Sequence, residues 1–206
     1  MKIVLSLMTT ILIFAGQIFA QEETLLGSGE VSNGGFGGPV VKYVQIKGEP
    51  GVLVGGRGGW IINHTFVVGG GGYGLVNDIK SGNPPYLYEG NWYNTYLNFG
   101  YGGVELEYIF QSDQLLHFSV YSLIGGGSIS YRNEFFSENH NMNWDASNDA
   151  FFVFEPAVNA ELNVVSFMRI AAGVSYRFIG GANFEAIKNS DLAGPSASLT
   201  FKFGKF

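Results

Sequence analysis

The residues with the most chemical reach in this 206-residue chain are seven charged side chains: Arg57, Glu105, Glu107, Glu155, Glu161, Arg169 and Arg177. Gathered in one enclosure, four carboxylates facing three guanidinium groups would either pair through charge-assisted hydrogen bonds or line a narrow ion path. The paired, closed arrangement is the expectation, because an unpaired charge in a space filled by side chains carries a heavy desolvation cost. Glycine runs at Gly69 to Gly72 and around Arg57 invite a phosphate-cradling reading, but such a cradle needs a strand before it and a helix after it, and no helical pattern follows. Inside strands, glycines instead mark bulges or close backbone approach. The stretch after Arg132 carries Glu134, Glu138, His140, Asp145 and Asp149, whose carboxylates are hard oxygen donors of the kind Ca²⁺ takes. Their spacing follows no EF-hand, so a solvated loop is expected, with no metal and no cofactor.

What must position these groups is set by composition and period. Charged residues make up 14% of the chain, against roughly 25% in soluble domains. Aromatics reach 16% and there are 31 glycines, which suits strands better than helices. With no cysteine, the chain has no disulfide framework, thiolate metal site, cysteine nucleophile or lipoprotein anchor. A net charge of -6 gives no reason to expect a nucleic-acid partner. The N-terminus has an early Lys2, an apolar run from Ile3 to Ala15 and a small Ala20, which predicts a cleavable signal peptide over residues 1–20. Residues 21–34 read as a flexible lead-in and residues 35–206 as one β domain.

Past the signal, apolar residues recur with a period of two. Met168, Ile170, Ala172, Val174, Tyr176 and Phe178 alternate with Arg169, Ala171, Gly173, Ser175 and Arg177. Eight strands are predicted near 36–47, 51–62, 65–77, 94–110, 114–131, 151–164, 167–179 and 193–203. Tight connectors at Asn63-His64, Ser112-Asp113 and Val165-Ser166 alternate with long ones at 78–93, 132–150 and 180–192; the connector at Glu49-Pro50-Gly51 is short. This is the loop parity of an eight-stranded antiparallel up-and-down transmembrane β-barrel. The polar face is mostly Gly, Ser, Ala and Asn with sparse charges of both signs, which suits a crowded lumen and leaves the apolar face for lipid. A soluble periplasmic barrel with an apolar ligand cavity is the alternative. Outward Leu97, Phe99 and Tyr101 followed by outward Val104, Leu106 and Tyr108 predict a β-bulge at Gly102-Gly103. Trp60, Tyr108, Tyr131 and Tyr176 are expected at the membrane interfaces. The aromatics Tyr86, Tyr88, Trp92, Tyr93, Phe135, Phe136 and Trp144 are expected to form a cap or an adhesive surface on the long loops.

The ending SASLTFKFGKF, with Phe201, Phe203 and Phe206, resembles the aromatic C-terminal strand signal of outer-membrane barrels, although Phe206 is out of step with the other two. The mature chain as a whole resembles the small OmpA/OmpX-type barrels. That resemblance implies the outer membrane of a Gram-negative cell, contact with its lipids and with the barrel-assembly machinery, a monomer, and a structural or surface-interaction role without catalysis. The segment 53–76 also resembles glycine-rich hairpins of small barrels without assigned function. His117-Phe118-Ser119 resembles the His-x-Ser of outer-membrane lipid A deacylases, in which His acts as base and Ser as nucleophile, with Glu105 or Glu107 as the orienting acid. Here Val120 replaces the Asn that commonly follows, and His117 follows a short turn, which places it far from lipopolysaccharide. Lipid modification is therefore the runner-up.

Overall fold

Alternation with a period of two, sustained over runs of 10 to 18 residues, leaves the chain one regular option: strands that satisfy their backbone groups by pairing with each other. A computed structural model describes residues 32–80, 86–88, 91–133, 148–184 and 187–206. In chain order the elements are β1 (Asn33–Ile46), β2 (Glu49–Ile62), β3 (Phe66–Leu75), a short hairpin of β4 (Tyr86–Tyr88) and β5 (Asn91–Tyr93), β6 (Thr95–Phe110), β7 (Leu116–Asn133), β8 (Asn148–Val165) and β9 (Met168–Gly180). A second small hairpin, β10 (Asn183–Phe184) and β11 (Ile187–Lys188), leads into the one-turn helix α1 (Asn189–Leu192) and the last strand β12 (Gly194–Lys205).

Eight of these strands form a closed antiparallel barrel in the order β1-β12-β9-β8-β7-β6-β3-β2. The eight predicted strands are these eight, displaced only at their ends. Closure fixes a stagger. Registered partners lead from Gly34 through Ile61, Val67, Glu107, Tyr121, Ala157, Ser175 and Ser196 back to β1 at Val44, ten residues further along. The strands must therefore tilt against the barrel axis, and the interior is just wide enough for side chains. Short turns gather at one end, called here the turn end, and the longer connections lie at the opposite loop end. At the turn end, Asn63 (φ 51) and His64 (φ 55) take the left-handed conformation of a tight hairpin turn. Lys47 (φ 54) and Gly48 (φ 78) do the same for the short connection at the loop end.

The two faces divide cleanly along every strand. Outward are Val54, Val68, Val104, Leu106, Ile124, Phe152, Val158, Val174, Phe178 and Phe203, all exposed, and no described helix is long and apolar enough to cross a membrane. Inward, the lumen is layered. At the turn end Phe36, Ile61, Val67 and Ile109 pack with Phe206. At the loop end a larger cluster joins Val44, Ile46, Leu53, Leu97, Phe99, Ile129, Tyr131, Phe151 and Val153 to Ile79, Ile187 and Leu192 from the connections. The ion-paired charged groups occupy the space between these two apolar plugs, while Arg169 lies at the turn-end plug and Arg177 at the loop-end one.

One expectation about β6 fails. Its registers with β3 and β7 run without interruption, so there is no bulge at Gly102-Gly103. Leu97, Phe99 and Tyr101 point into the lumen together with Glu105 and Glu107, and the outward positions beside them are Asn98, Gly100 and Gly102. The reason is the layering: near the loop end the interior is itself apolar, so apolar character there marks the inside.

Candidate functional site: the charged layer of the lumen

Parity along each strand delivers the charged side chains inward. Arg57 comes from β2, Glu105 and Glu107 from β6, Glu155 and Glu161 from β8, and Arg169 and Arg177 from β9; all are buried. Two further cations join them, Lys42 of β1 and Lys202 of β12, exposed by 0% and 1%. Sequence reasoning missed both. The signal for Lys202 was present, since it lies between outward Phe201 and Phe203 and so must face inward.

The layer is continuous. Arg57 donates from Nε to Glu105 Oε2 at 2.6 Å and from Nη2 to Glu107 Oε2 at 3.2 Å, while its guanidinium lies 4.0 Å from the centre of the Tyr121 ring. The Tyr73 hydroxyl donates to Glu105 Oε1 at 2.8 Å. Lys202 Nζ bridges two carboxylates, donating to Glu107 Oε1 at 2.8 Å and Glu161 Oε1 at 2.6 Å. Nearer the loop end, Lys42 Nζ lies 3.0 Å from both oxygens of Glu155 and 3.6 Å from the centre of the Tyr73 ring. Glu155 also accepts from the Tyr101 hydroxyl at 2.6 Å and from Ser175 Oγ at 2.5 Å. Each carboxylate thus meets a cation, which is what buried charge requires.

Arg169 and Arg177 are held differently, with no ion pair among the described residues. Arg177 donates from Nε to the Leu192 carbonyl at 2.8 Å and from Nη2 to the Gln45 carbonyl at 3.4 Å. It thereby ties the end of α1 and the end of β1 to the barrel interior. Arg169 donates from Nη2 to the Ser112 carbonyl at 3.1 Å and lies over the Phe206 ring, 4.2 Å from its centre.

The His-x-Ser pair also faces inward. Ser119 Oγ lies 2.7 Å from Glu107 Oε1 and 2.6 Å from Glu161 Oε1, and Asn159 Nδ2 donates to it at 3.1 Å. His117 Nε2 is 3.6 Å from Glu161 Oε2, and its Nδ1 is 3.1 Å from the Gln114 carbonyl. Both side chains are buried inside the wall, so the Ser119 hydroxyl is not presented to the outer face where acyl chains would lie. Glu105, suggested as the orienting acid, is engaged with Arg57 and Tyr73 instead.

Of the four aromatics expected at the interfaces, Trp60, Tyr108 and Tyr176 point outward, exposed by 54%, 37% and 45%. Tyr131 corrects the reading: it is buried in the loop-end apolar cluster, on the inward face of β7. Phe201 and Phe203 lie on the outward face of β12, whereas Phe206 turns under the barrel and stacks against Phe36 with ring centres 6.4 Å apart. Among the described residues no group of three His, Cys, Asp or Glu is placed to hold a metal ion. Asp149 is engaged by the backbone N–H of Asn183 at 2.5 Å. Residues 1–31, the loop residues Glu134, Glu138, His140 and Asp145, the aromatics Phe135, Phe136 and Trp144, and the side chains of Tyr86, Tyr88, Trp92 and Tyr93 lie outside the described residues.

No known protein family and no curated protein matches the sequence. Solved structures do match the fold. The N-terminal β-barrel domain of OprF from Pseudomonas aeruginosa superposes with a TM-score of 0.53 at 11% identity, over 85% of this chain and 99% of that one. Neisserial surface protein A superposes with a TM-score of 0.53 at 13% identity, over 86% of this chain and 100% of that one. The architecture is that of small eight-stranded outer-membrane barrels.

Proposed function

We propose that this chain is a non-enzymatic outer-membrane barrel with a sealed lumen, which acts through the connections at its loop end in a structural or surface-interaction role. The observation that carries this reading is the layering of the interior. A salt-bridged layer lies between two apolar plugs, and an ion crossing the barrel would have to break pairs such as Lys42–Glu155 and displace packed Phe99, Phe151 and Leu192. The outer belt of Val, Leu, Ile and Phe supports placement in lipid, with the three tight turns toward the periplasm and the long loops outside. The lumenal burial of Ser119 supports a protein without acyl-chain chemistry. A monomer is favoured, since the barrel has no free sheet edge to pair with a second copy. Purified, folded protein in planar bilayers should give conductance at the background level. Steady ohmic channels from the folded barrel would overturn the sealed lumen, and recovery from the aqueous periplasm without detergent would overturn the membrane placement.

A further inference from the structure

The turn end carries an open pocket of roughly 480 Å³, whose lining includes Thr65, Gln111, Ser112, Asp113, Arg169 and Phe206. Its chemistry is unlike that of the charged layer above it. Arg169 is 5% exposed, makes no ion pair among the described residues, and its Nε has no hydrogen-bond partner. One nitrogen donates to the Ser112 carbonyl and the guanidinium face rests on Phe206, so the group is held in place by neutral contacts, with no carboxylate bonded to it. A fixed, buried guanidinium with unused donors is built to take a planar oxyanion by two parallel hydrogen bonds. Gln111, Ser112 and Thr65 add neutral hydrogen-bonding groups around it, and the Phe206 ring supplies an apolar floor. Asp113 is the acid among the lining residues; it sits on an exposed turn and disfavours a second negative charge on the ligand.

We propose that this pocket binds a small carboxylate-bearing molecule or chain end, with Arg169 as the binding residue. The pocket lies at the turn end outside the ion-paired layer, and only its placement on the periplasmic side rests on the orientation given above. The test follows the side-chain Nε–H resonance of Arg169 in the folded full chain in detergent micelles, titrated with acetate and with inorganic phosphate at constant ionic strength set by chloride. Acetate should move the resonance along a saturating curve, with phosphate binding more weakly. Gln111→Asp, an exposed turn substitution that keeps Arg169 and adds a second acid, should weaken acetate binding by about two- to fivefold. Arg169→Gln, checked for folding by heat-modifiable migration, should abolish the acetate-dependent shifts of the neighbouring Ser112 and Gln111 amides. Non-saturating shifts, tighter binding of phosphate than of acetate, or unchanged titrations in both variants would overturn the proposal. Because the titration is done in micelles, its failure would leave the membrane placement and the sealed lumen standing.

Discussion

Glu155 offers the sharpest test of what holds the charged layer together. Its carboxylate is fully buried and accepts from Lys42, Tyr101 and Ser175. Glu155→Gln keeps the shape and one acceptor oxygen, so Tyr101 or Ser175 can still donate, but it leaves the Lys42 ammonium without its counter-charge. Removing one partner of a buried pair costs about 3 to 5 kcal/mol. The Tyr73 ring, 3.6 Å from Lys42 Nζ, offsets part of that cost, since a desolvated cation over an aromatic face is worth about 2 kcal/mol. The expected loss is therefore at the low end, about 3 kcal/mol. The double substitution Lys42→Met with Glu155→Leu removes both charges and replaces them with apolar volume, and should recover most of that loss. Urea-driven unfolding of the barrel in lipid vesicles, followed by tryptophan fluorescence and heat-modifiable migration, measures the single and double variants side by side. A loss below about 1 kcal/mol for Glu155→Gln, or a double variant no more stable than the single, would refute the claim that an uncompensated lysine is the cost.

Two further substitutions probe the wall. At Gly71 an added Cβ would sit 2.5 Å from Glu105 Oε1 and 2.8 Å from the Tyr73 hydroxyl, so Gly71→Ala should destabilise by about 1 to 3 kcal/mol in the same unfolding assay. Gly72→Ala, on the outward face with nothing nearer than 3.9 Å, should change stability by less than about 0.5 kcal/mol. Tyr131→Ala should cost about 3 to 5 kcal/mol, as truncation of a core aromatic does, and Tyr176→Ala clearly less. Equal urea midpoints for those two variants would place both rings in the same environment and contradict the inward assignment of Tyr131.

How much of this was readable in advance depends on the layer a residue occupies. In β8, β9 and β12 polar and apolar positions alternate over most of their length, so Glu155, Glu161, Arg169 and Arg177 could be assigned to the lumen from the pattern. In β6 and at the loop end of β7 the lumen is filled by Leu97, Phe99, Tyr101, Ile129 and Tyr131, while outward positions hold glycine, serine and asparagine. There the rule that apolar means lipid-facing inverts, which produced both the expected bulge and the misplacement of Tyr131. Lys42 escaped notice for a related reason: it shares the inward face of β1 with Val40 and Val44. The pocket below Arg169 could not be foreseen, because it joins two turns, the start of β9 and the residue after β12, which only closure brings together.

The distribution of charge along the chain bears on how that closure comes about. All four lumenal acids lie on β6 and β8, and the five cations lie on β1, β2, β9 and β12. Lys42 reaches Glu155 across 113 residues of sequence, and Lys202 reaches Glu107 across 95. No hairpin can satisfy these pairs locally, so an unclosed sheet carries a negative middle and positive flanks on the face that becomes the interior. Attraction between middle and flanks curls the sheet in the correct sense, and the pairs form only when the first and last strands meet. These two pairs therefore act as a late-forming lock, contributing little to the early folding rate and most of their effect to the rate of reopening.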